Sequence, residues 1–222
     1  MPTSLQTILF DLGNVLVHFS HERMCRQVGE LCGLSESEMR ALLLEGPLHH
    51  DYERGRINCS ELVTALSAQT GRTLELEAVR EAAGNIFEQN DEMVDLASDL
   101  KSQGLRLVLL SNTCPAHIDW IRDNLQVLDL FDYEVLSYEV GAAKPEAAIF
   151  DEALRHIDCA PVECLYVDDV AAYVNVGRGV GLRGAVFSGV EQFIDDLACL
   201  GVEFPQRDNE LSAGTLESSG AE

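Results

Sequence analysis

The stretch ILFDLGNVLV, residues 8–17, decides the fold class of this 222-residue chain. Three apolar residues lead without alternation into a carboxylate, Asp11, and the small segment LGN follows. A short apolar run of this kind indicates a strand covered on both faces, as in a parallel sheet. A buried strand that ends on an acid needs a reason beyond packing, because a carboxylate held away from water without a partner is unfavourable.

Strands and helices alternate along most of the remaining sequence. Short apolar runs predict five strands, at residues 7–10, 105–110, 134–137, 164–167 and 185–187. Helical periodicity predicts five helices, at residues 91–103, 116–125, 146–155, 171–180 and 190–200. This alternation predicts an α/β fold with a doubly wound, Rossmann-like parallel sheet.

One long interval interrupts the alternation. Residues 11–104 separate the first two strands, whereas a βαβ unit needs roughly 30 residues in all. The excess, residues 18–90, is predicted to be almost wholly helical, with helices at residues 22–32, 35–44, 59–69 and 76–89. Ser35, with Glu38 three residues later, is a capping-box signature for the second of them. An insertion directly after the first strand lies over the carboxyl edge of the sheet, where open α/β folds bind ligands, so it is predicted to be a cap.

The expected domain organisation follows from these patterns. Residues 1–17 and 91–205 are predicted to form the catalytic core, and residues 18–90 the helical cap. Residues 206–222 are polar and acidic without apolar periodicity, and they are predicted to be a flexible tail.

Charge and composition restrict the partners. The chain has 15 basic and 38 acidic residues, a net charge of -23, so nucleic acid and anionic membranes are not expected partners. An anionic substrate would need a local attraction, such as a metal ion or a lysine. The seven cysteines form no CxxC pair, which favours reduced thiols over a disulfide framework or a zinc site. No signal peptide or apolar stretch of 18 residues is evident, so a cytoplasmic protein is expected. The sequence leaves the oligomeric state open, monomer or dimer.

Polar residues follow four of the predicted strands, at the edge where parallel strands end. They are Asp11, Ser111, Asn112, Lys144, Asp168 and Asp169. Clustered carboxylate oxygens suit Mg²⁺, and a lysine supplies a point charge for phosphate oxygens. A serine hydroxyl can donate to a phosphate, and an ionised aspartate can attack phosphorus to form an aspartyl-phosphate. This set therefore predicts phosphoryl transfer from a small phosphorylated metabolite, with Mg²⁺ as the cofactor.

Four motifs in this order resemble the haloacid dehalogenase superfamily. They are ILFDLGNVLV, VLLSNT, GAAKPEAAIF and LYVDDV, spread over residues 5–190. The helical insertion after the first motif is similar to that family's α-helical cap. The FDLGNVL variant, together with DYERGRIN at residues 51–58, looks most like the branch that contains bacterial sugar phosphatases such as α-glucose-1-phosphate phosphatase.

The resemblance implies a role for each matching residue. Asp11 would be the nucleophile and a metal ligand, and the backbone carbonyl of Gly13 a second ligand. Asp169 would be a third ligand, with Asp168 binding directly or through water. In addition, Ser111 and Asn112 would hold the transferring phosphoryl group, and Lys144 would neutralise its charge.

Two positions depart from the family pattern. Most phosphatases of the superfamily have an aspartate two residues after the nucleophile, which protonates the leaving oxygen and then activates water, but here Gly13 stands at that position. The sequence offers four candidates for the missing proton-transfer group: His18, His49, His50 and Asp51. The second departure is Tyr173, which stands where an Asp or Asn is usual.

The resulting hypothesis is a Mg²⁺-dependent phosphatase whose expected substrate is a sugar phosphate. A metal-independent 2-haloacid dehalogenase is one alternative, because those relatives can also lack the second aspartate. The other alternative is a catalytically weak binding or regulatory protein that has kept the site and lost its proton-transfer group.

Overall fold

The computed structural model describes residues 4–202, so the tail predicted at residues 206–222 lies outside the described residues. The strands are β1 (Thr7–Phe10), β2 (Val17–Phe19), β3 (Phe87–Gln89), β4 (Arg106–Ser111), β5 (Tyr133–Leu136), β6 (Cys164–Asp168) and β7 (Arg183–Val186). The α-helices are α1 (His21–Cys32), α2 (Glu36–Leu43), α3 (Pro47–Glu53), α4 (Cys59–Thr70), α5 (Leu76–Gly84), α6 (Asp91–Ser102), α7 (Pro115–Asn124), α8 (Ser137–Val140), α9 (Ala147–Leu154), α10 (Ala171–Gly179) and α11 (Val190–Cys199).

The central sheet is the predicted doubly wound parallel sheet, with strand order β5-β4-β1-β6-β7. All four neighbouring pairs are parallel. Phe10, the last residue of β1, is in register with Leu109 on one side and Val167 on the other. The three central strands therefore end at almost the same level, which brings the residues that follow them to one edge.

Apolar side chains cover both faces of the sheet, as the unbroken apolar strands require. Ile8 and Phe10 point to one face, against residues of α6, α7 and α11. Leu9 points to the opposite face, where Ile149 and Phe150 of α9 pack. This alternation explains why Ile8, Leu9 and Phe10 are all apolar: each of them packs against one of two helix layers.

Helices α1–α5 occupy the interval after β1. An antiparallel ribbon brackets them, in which Val17 of β2 pairs with Gln89 of β3 and Phe19 with Phe87. The capping box at the start of α2 is confirmed: Ser35 accepts from the Glu38 backbone, and the Glu38 carboxylate accepts from the Ser35 backbone. We propose that residues 18–90 form the cap and that the ribbon is its connection to the core.

Three local predictions in this region were wrong or incomplete. The helix predicted for residues 76–89 ends at Gly84, and its last three residues are β3. Helix α3 and strand β2 were not predicted. Both strands of the ribbon are three residues long and are stabilised by partners about 70 positions away, which a local period does not register. Helix α3 is too short for a reliable period, although Pro47 occupies its first turn, a favourable position for proline.

The helices of the insertion pack closely on the core. In α5, a Cβ at Gly84 would fall 2.5 Å from the Trp120 Cβ of α7, so only glycine permits this approach. The Tyr52 hydroxyl of α3 accepts a hydrogen bond from the Ala116 backbone at the start of α7 (3.2 Å). Among residues 4–202, none of the helices is long and apolar enough to cross a lipid bilayer.

Candidate active site

The ends of β1, β4 and β6 bring the predicted site residues together at the carboxyl edge of the sheet. Asp11 follows β1 directly, and Ser111 and Asp168 are the last residues of β4 and β6. All three side chains are buried. The sequence-based expectation that these residues converge is therefore confirmed.

Lys144 connects these strand ends through one ammonium group. Its Nζ lies 2.8 Å from Asp11 Oδ1 and donates to Asp168 Oδ2 (2.7 Å) and to the Leu110 carbonyl (3.1 Å). The Lys144 side chain is 1% exposed. Burial alone would lower the pKa of Lys144, but the Asp11 and Asp168 carboxylates outweigh burial and raise it, so the ammonium stays charged. Lys144 is thus a fixed positive charge within the sheet edge.

Asp168 accepts three hydrogen bonds from the protein. Besides Lys144, the Tyr166 hydroxyl donates to its Oδ2, and the Val170 backbone donates to its Oδ1 (2.8 Å). Its exposure is 0%. These bonds engage both of its oxygens in orienting Lys144 and the following loop.

The Asn112 side chain also binds Lys144, through the lysine main chain. Its Oδ1 accepts from the Lys144 backbone N–H (2.7 Å), and its Nδ2 donates to the Lys144 carbonyl (3.0 Å). This two-point bond fixes the lysine main chain. The geometry therefore suits Asn112 to positioning Lys144, whereas its predicted role was to hold a phosphoryl group.

The carboxylates form a donor set that suits a hard divalent cation. Ligand oxygens of Asp11, Asp168 and Asp169 all lie within 4.8 Å of one another. Burial, with a further contribution from Asp168, raises the pKa of Asp11 to about 7, although Lys144 and the Leu12 backbone N–H lower it. A divalent cation would favour the ionised form of Asp11. The donor chemistry therefore fits Mg²⁺, with Asp169 the less buried ligand, held by the Asn14 amide (3.0 Å).

A cavity of about 320 Å³ opens directly above this edge. Of the sequence-predicted site residues, Asp11, Gly13, Ser111, Asn112, Lys144 and Asp169 line it. Asp168 does not line it: this residue is fully buried and bound to Lys144. These residues, together with Thr113 and His117, form the core wall of the cavity.

The opposite wall, here called the cap wall, comes from the inserted region and was largely missed by sequence reasoning. It consists of Phe19, His21, His49, Glu53 and Phe87. The Phe19 ring lies 4.9 Å from His21 and 6.2 Å from Phe87, and Phe87 meets His117 of the core at 5.2 Å, as centroid distances. These rings therefore form a continuous series of aromatic contacts from His21 on the cap wall to His117 of the core.

The histidines of the cavity are held neutral. Burial, together with His50, lowers the pKa of His49 to about 4. Burial, together with His49 and His21, lowers the pKa of His117 to about 3. Burial and His49 also lower the pKa of His21. The cavity therefore offers imidazoles as hydrogen-bonding groups without positive charge.

The four predicted substitutes for the missing aspartate separate in the structure. Only His49 lines the cavity. His18 is exposed on β2, His50 lies 2.7 Å from Arg54 through its Nδ1, and Asp51 pairs with the exposed Arg56 (3.1 Å). The structure adds Glu53, four residues after His49 on the same helical face, and that spacing was the available sequence signal.

Gly13 and Tyr173 can now be located. A Cβ at Gly13 would fall 2.8 Å from Phe19 Cε1, so the Phe19 ring occupies the space of a larger residue there. The Tyr173 ring lines the cavity and lies 5.4 Å from Lys144 Nζ, within cation–π range. Both departures from the family pattern therefore face the same cavity.

Comparison with known proteins agrees with this geometry. The family model of haloacid dehalogenase-like hydrolases matches residues 5–181. D-ribitol-5-phosphate phosphatase of Bacteroides thetaiotaomicron is 26% identical over 81% of this chain and 90% of its own. A haloacid dehalogenase-family enzyme of the same organism, solved with magnesium and inorganic phosphate, is 25% identical with a TM-score of 0.72, covering 82% of this chain and 93% of that one.

A similar likeness extends to a second organism. The structure of a HAD-like family hydrolase from Porphyromonas gingivalis is 28% identical, with a TM-score of 0.76, and covers 90% of this chain and 99% of that one. The family model spans more than half of the sequence and includes all the strand-end residues described above. The chain therefore belongs to the family of haloacid dehalogenase-like hydrolases.

Proposed function

We propose that this protein is a Mg²⁺-dependent phosphatase that hydrolyses a small phosphomonoester, a sugar phosphate, through an aspartyl-phosphate on Asp11. One observation carries the proposal. The Lys144 ammonium contacts Asp11 and Asp168 at once, beside a third carboxylate, at the base of a cavity of about 320 Å³. A nucleophile beside a fixed cation suits an attack on an anionic phosphoryl group.

Each residue has a step in this reaction. Asp11 attacks phosphorus, and its carboxylate is oriented by Lys144 and by the Leu12 backbone N–H, which donates to Oδ1 (2.7 Å). Lys144 neutralises charge on the phosphoryl oxygens, and Ser111 offers a hydroxyl donor at the cavity base. When bound by Asp11, Asp169 and the Gly13 carbonyl, Mg²⁺ supplies further charge stabilisation to the transferring group.

The named relatives support the reaction type. One relative is a D-ribitol-5-phosphate phosphatase, and the structural neighbour from the same organism holds magnesium and inorganic phosphate. Both matches extend over four fifths or more of this chain. These likenesses favour phosphate-ester chemistry at the matching edge of the sheet.

The cap wall supports a polyhydroxylated leaving group. Neutral His21, His49 and His117 can each donate and accept hydrogen bonds, as hydroxyl groups require. The rings of Phe19 and Phe87 offer apolar faces to the C–H groups of a sugar. A few polar groups within an apolar surround are typical of a small-molecule site.

A screen of sugar 1-phosphates, sugar 6-phosphates and nucleotides, with and without Mg²⁺, tests the proposal. Phosphate release should require Mg²⁺ and stop on addition of EDTA. Asp11→Asn should abolish release while leaving the circular dichroism spectrum unchanged, and Asp51→Asn is the matched control. Activity that persists in Asp11→Asn would refute the aspartyl-phosphate route.

Adding a 2-haloacid to the same screen separates the alternatives. A 2-haloacid dehalogenase would release halide and keep its activity in EDTA. A binding or regulatory protein would bind a sugar phosphate tightly without turnover in the presence of Mg²⁺. Either result would replace the phosphatase assignment.

A further inference from the structure

We propose that Glu53, on helix α3, transfers the proton in this reaction: it protonates the leaving oxygen and then activates water. This assignment rests on the proposed phosphatase function. It fills the role that Gly13 leaves without a side chain, and it takes the proton donor from the cap wall instead of the nucleophile loop.

The first argument is steric. An aspartate at position 13 would enter the space of the Phe19 ring, since even a Cβ would approach Cε1 to 2.8 Å. The Phe19 ring is itself supported by His21 and Phe87. The side of the cavity next to the nucleophile loop is therefore filled by an apolar ring, and a proton donor has to come from another direction.

The second argument is the anchoring of α3 on the core. Glu53 lies between two residues that bind the core directly. The Tyr52 hydroxyl accepts from the Ala116 backbone (3.2 Å), and the Arg54 guanidinium forms an ion pair with Glu146, two residues after Lys144. Gly55, at φ 62°, passes so close to the Tyr138 carbonyl that a Cβ would overlap it. Contacts on both sides of Glu53 therefore hold it against the catalytic edge.

The third argument is the surroundings of the carboxyl group. Glu53 lines the cavity, its side chain is 17% exposed, and His49 Nε2 lies 3.3 Å from its Oε1. His50, on the same helix, and Arg54, directly after it, interact with Glu53. From the core, Lys144, Cys114 and Tyr173 also interact with it. Burial raises the pKa of Glu53 to about 7, although His50, Arg54 and Lys144 lower it. A group that titrates there is suited to both proton donation and acceptance near neutral pH.

The other titratable groups of the cavity suit this role less well. Burial lowers the pKa of His49 to about 4 and that of His117 to about 3, so neither holds a transferable imidazolium proton at neutral pH. Burial also raises the pKa of Tyr173 above its ordinary value. Of the ionisable residues on the cap wall, Glu53 is the one whose pKa lies near neutral pH, as a general acid and base requires.

The proton transfers balance over the two steps. In the first, the Asp11 carboxylate forms a bond to phosphorus as the ester P–O bond breaks, and the Glu53 carboxylic acid gives its proton to the departing oxygen. In the second, water attacks the phosphorus and gives a proton to the Glu53 carboxylate as the bond between phosphorus and Asp11 breaks. Phosphate leaves, and both side chains return to their starting forms.

The test uses full-length protein with Mg²⁺ and two aryl esters, p-nitrophenyl phosphate and phenyl phosphate, whose leaving oxygens differ in basicity. Glu53→Gln keeps the shape and removes the transferable proton. With p-nitrophenyl phosphate, we expect a burst of nitrophenol within about threefold of the wild-type rate, because a good leaving group needs little protonation. Turnover then falls by about 10² to 10⁴, and phosphoenzyme accumulates in the acid-quenched intact mass.

With phenyl phosphate, formation of the phosphoenzyme itself should fall by about 10² in Glu53→Gln. Glu53→Asp should recover part of the rate. The fall in the wild-type kcat/KM for phenyl phosphate above about pH 7, which reports loss of the Glu53 proton, should be absent from Glu53→Gln. Glu45→Gln is the matched control, because Glu45 is an exposed glutamate just before α3. It should behave as wild type.

Two results would overturn the assignment of Glu53 while leaving the phosphatase function standing. One is unchanged turnover of both esters by Glu53→Gln, and the other is an equal loss on both esters without a burst, which indicates a structural role. A wild-type protein that releases no nitrophenol with Mg²⁺ would overturn the phosphatase function and the role of Glu53 together.

Discussion

The two walls of the cavity differ in how they are built. The core wall consists of residues at strand ends and in the adjoining loops, together with His117 of α7. Buried charge holds its base: Lys144, 1% exposed, binds two carboxylates and a backbone carbonyl. The cap wall consists of aromatic rings, neutral imidazoles and Glu53, contributed by the β2–β3 ribbon and helices α1 and α3.

This difference indicates that the two walls contact different parts of a substrate. At the base of the core wall, Asp11, Asp168 and Lys144 interact through their charges, so a change at one affects the other two. On the cap wall, the side chains are held mainly by packing, and they meet the part of a substrate that differs between substrates. The core wall is thus suited to the phosphoryl group and the cap wall to the leaving group.

Removing the positive charge of Lys144 should have the largest effect of the substitutions proposed, on both activity and stability. Lys144→Met leaves Asp11 and Asp168 buried without their cation, and we expect undetectable turnover and a loss of about 3–5 kcal/mol in unfolding free energy. Urea denaturation at pH 7.5 in EDTA measures it. Lys101→Met is the matched control: Lys101 is 37% exposed beside Asp132, and its loss should cost about 0–1 kcal/mol. Equal losses in the two variants would contradict the contrast.

The pH dependence of that loss provides a second check. The folded-state pKa of Asp11 is about 7, above its ordinary value of 3.8, so the folded state binds more protons between these values. Its contribution to the unfolding free energy therefore falls as pH rises through this window. Without Lys144 the pKa of Asp11 rises further, so the penalty in Lys144→Met should be smaller at pH 5 than at pH 7.5. Lys144 also lowers the pKa of Glu53, so its loss shifts the Glu53 titration in the same direction and adds to the difference.

The boundary between the two walls can be tested at Gly13. Gly13→Asp alone should lose about 1–3 kcal/mol of unfolding free energy, because its side chain meets the Phe19 ring. It should also give no rate gain on poor leaving groups. In the Phe19→Ala background, the same substitution should cost less. A double-mutant cycle measures this coupling, and strictly additive losses would contradict steric exclusion by Phe19.

The smallest effect should come from a helix α3 residue outside the cap wall. Asp51 pairs with the exposed Arg56, whereas Glu53 lines the cavity. Asp51→Asn should change the unfolding free energy by less than about 0.5 kcal/mol and leave kcat/KM within about twofold. Steady-state kinetics measure this. A kcat/KM that fell in Asp51→Asn as far as in Glu53→Gln would show that the placement of the whole helix α3, and not the Glu53 carboxyl group, determines the rate.

The sequence was most informative for the core wall. Strand β1 was predicted at its observed bounds, and Asp11, Ser111 and Lys144 were predicted to meet, because parallel strands end at one edge. The two hydrogen bonds between the Asn112 side chain and the Lys144 backbone were not predicted, since they depend on the conformation of a loop more than 30 positions away.

The cap wall was much less predictable. Its residues come together only when the ribbon pairs Phe19 with Phe87 and when α3 binds the core through Tyr52. Neither contact has a local period in the sequence. The absence of a side chain at Gly13 was visible from the start, but the ring that fills its space became visible only in three dimensions.

Locating the phosphoryl group on the enzyme tests the central claim most directly. The wild-type protein with Mg²⁺ would be mixed with p-nitrophenyl phosphate, quenched in acid within milliseconds, reduced with labelled borohydride and digested for peptide mass spectrometry. We predict a label on Asp11, in the peptide containing ILFDLGNVLV, and its absence from Asp11→Asn. A label on another residue, or steady phosphate release without any labelled aspartate, would contradict the account.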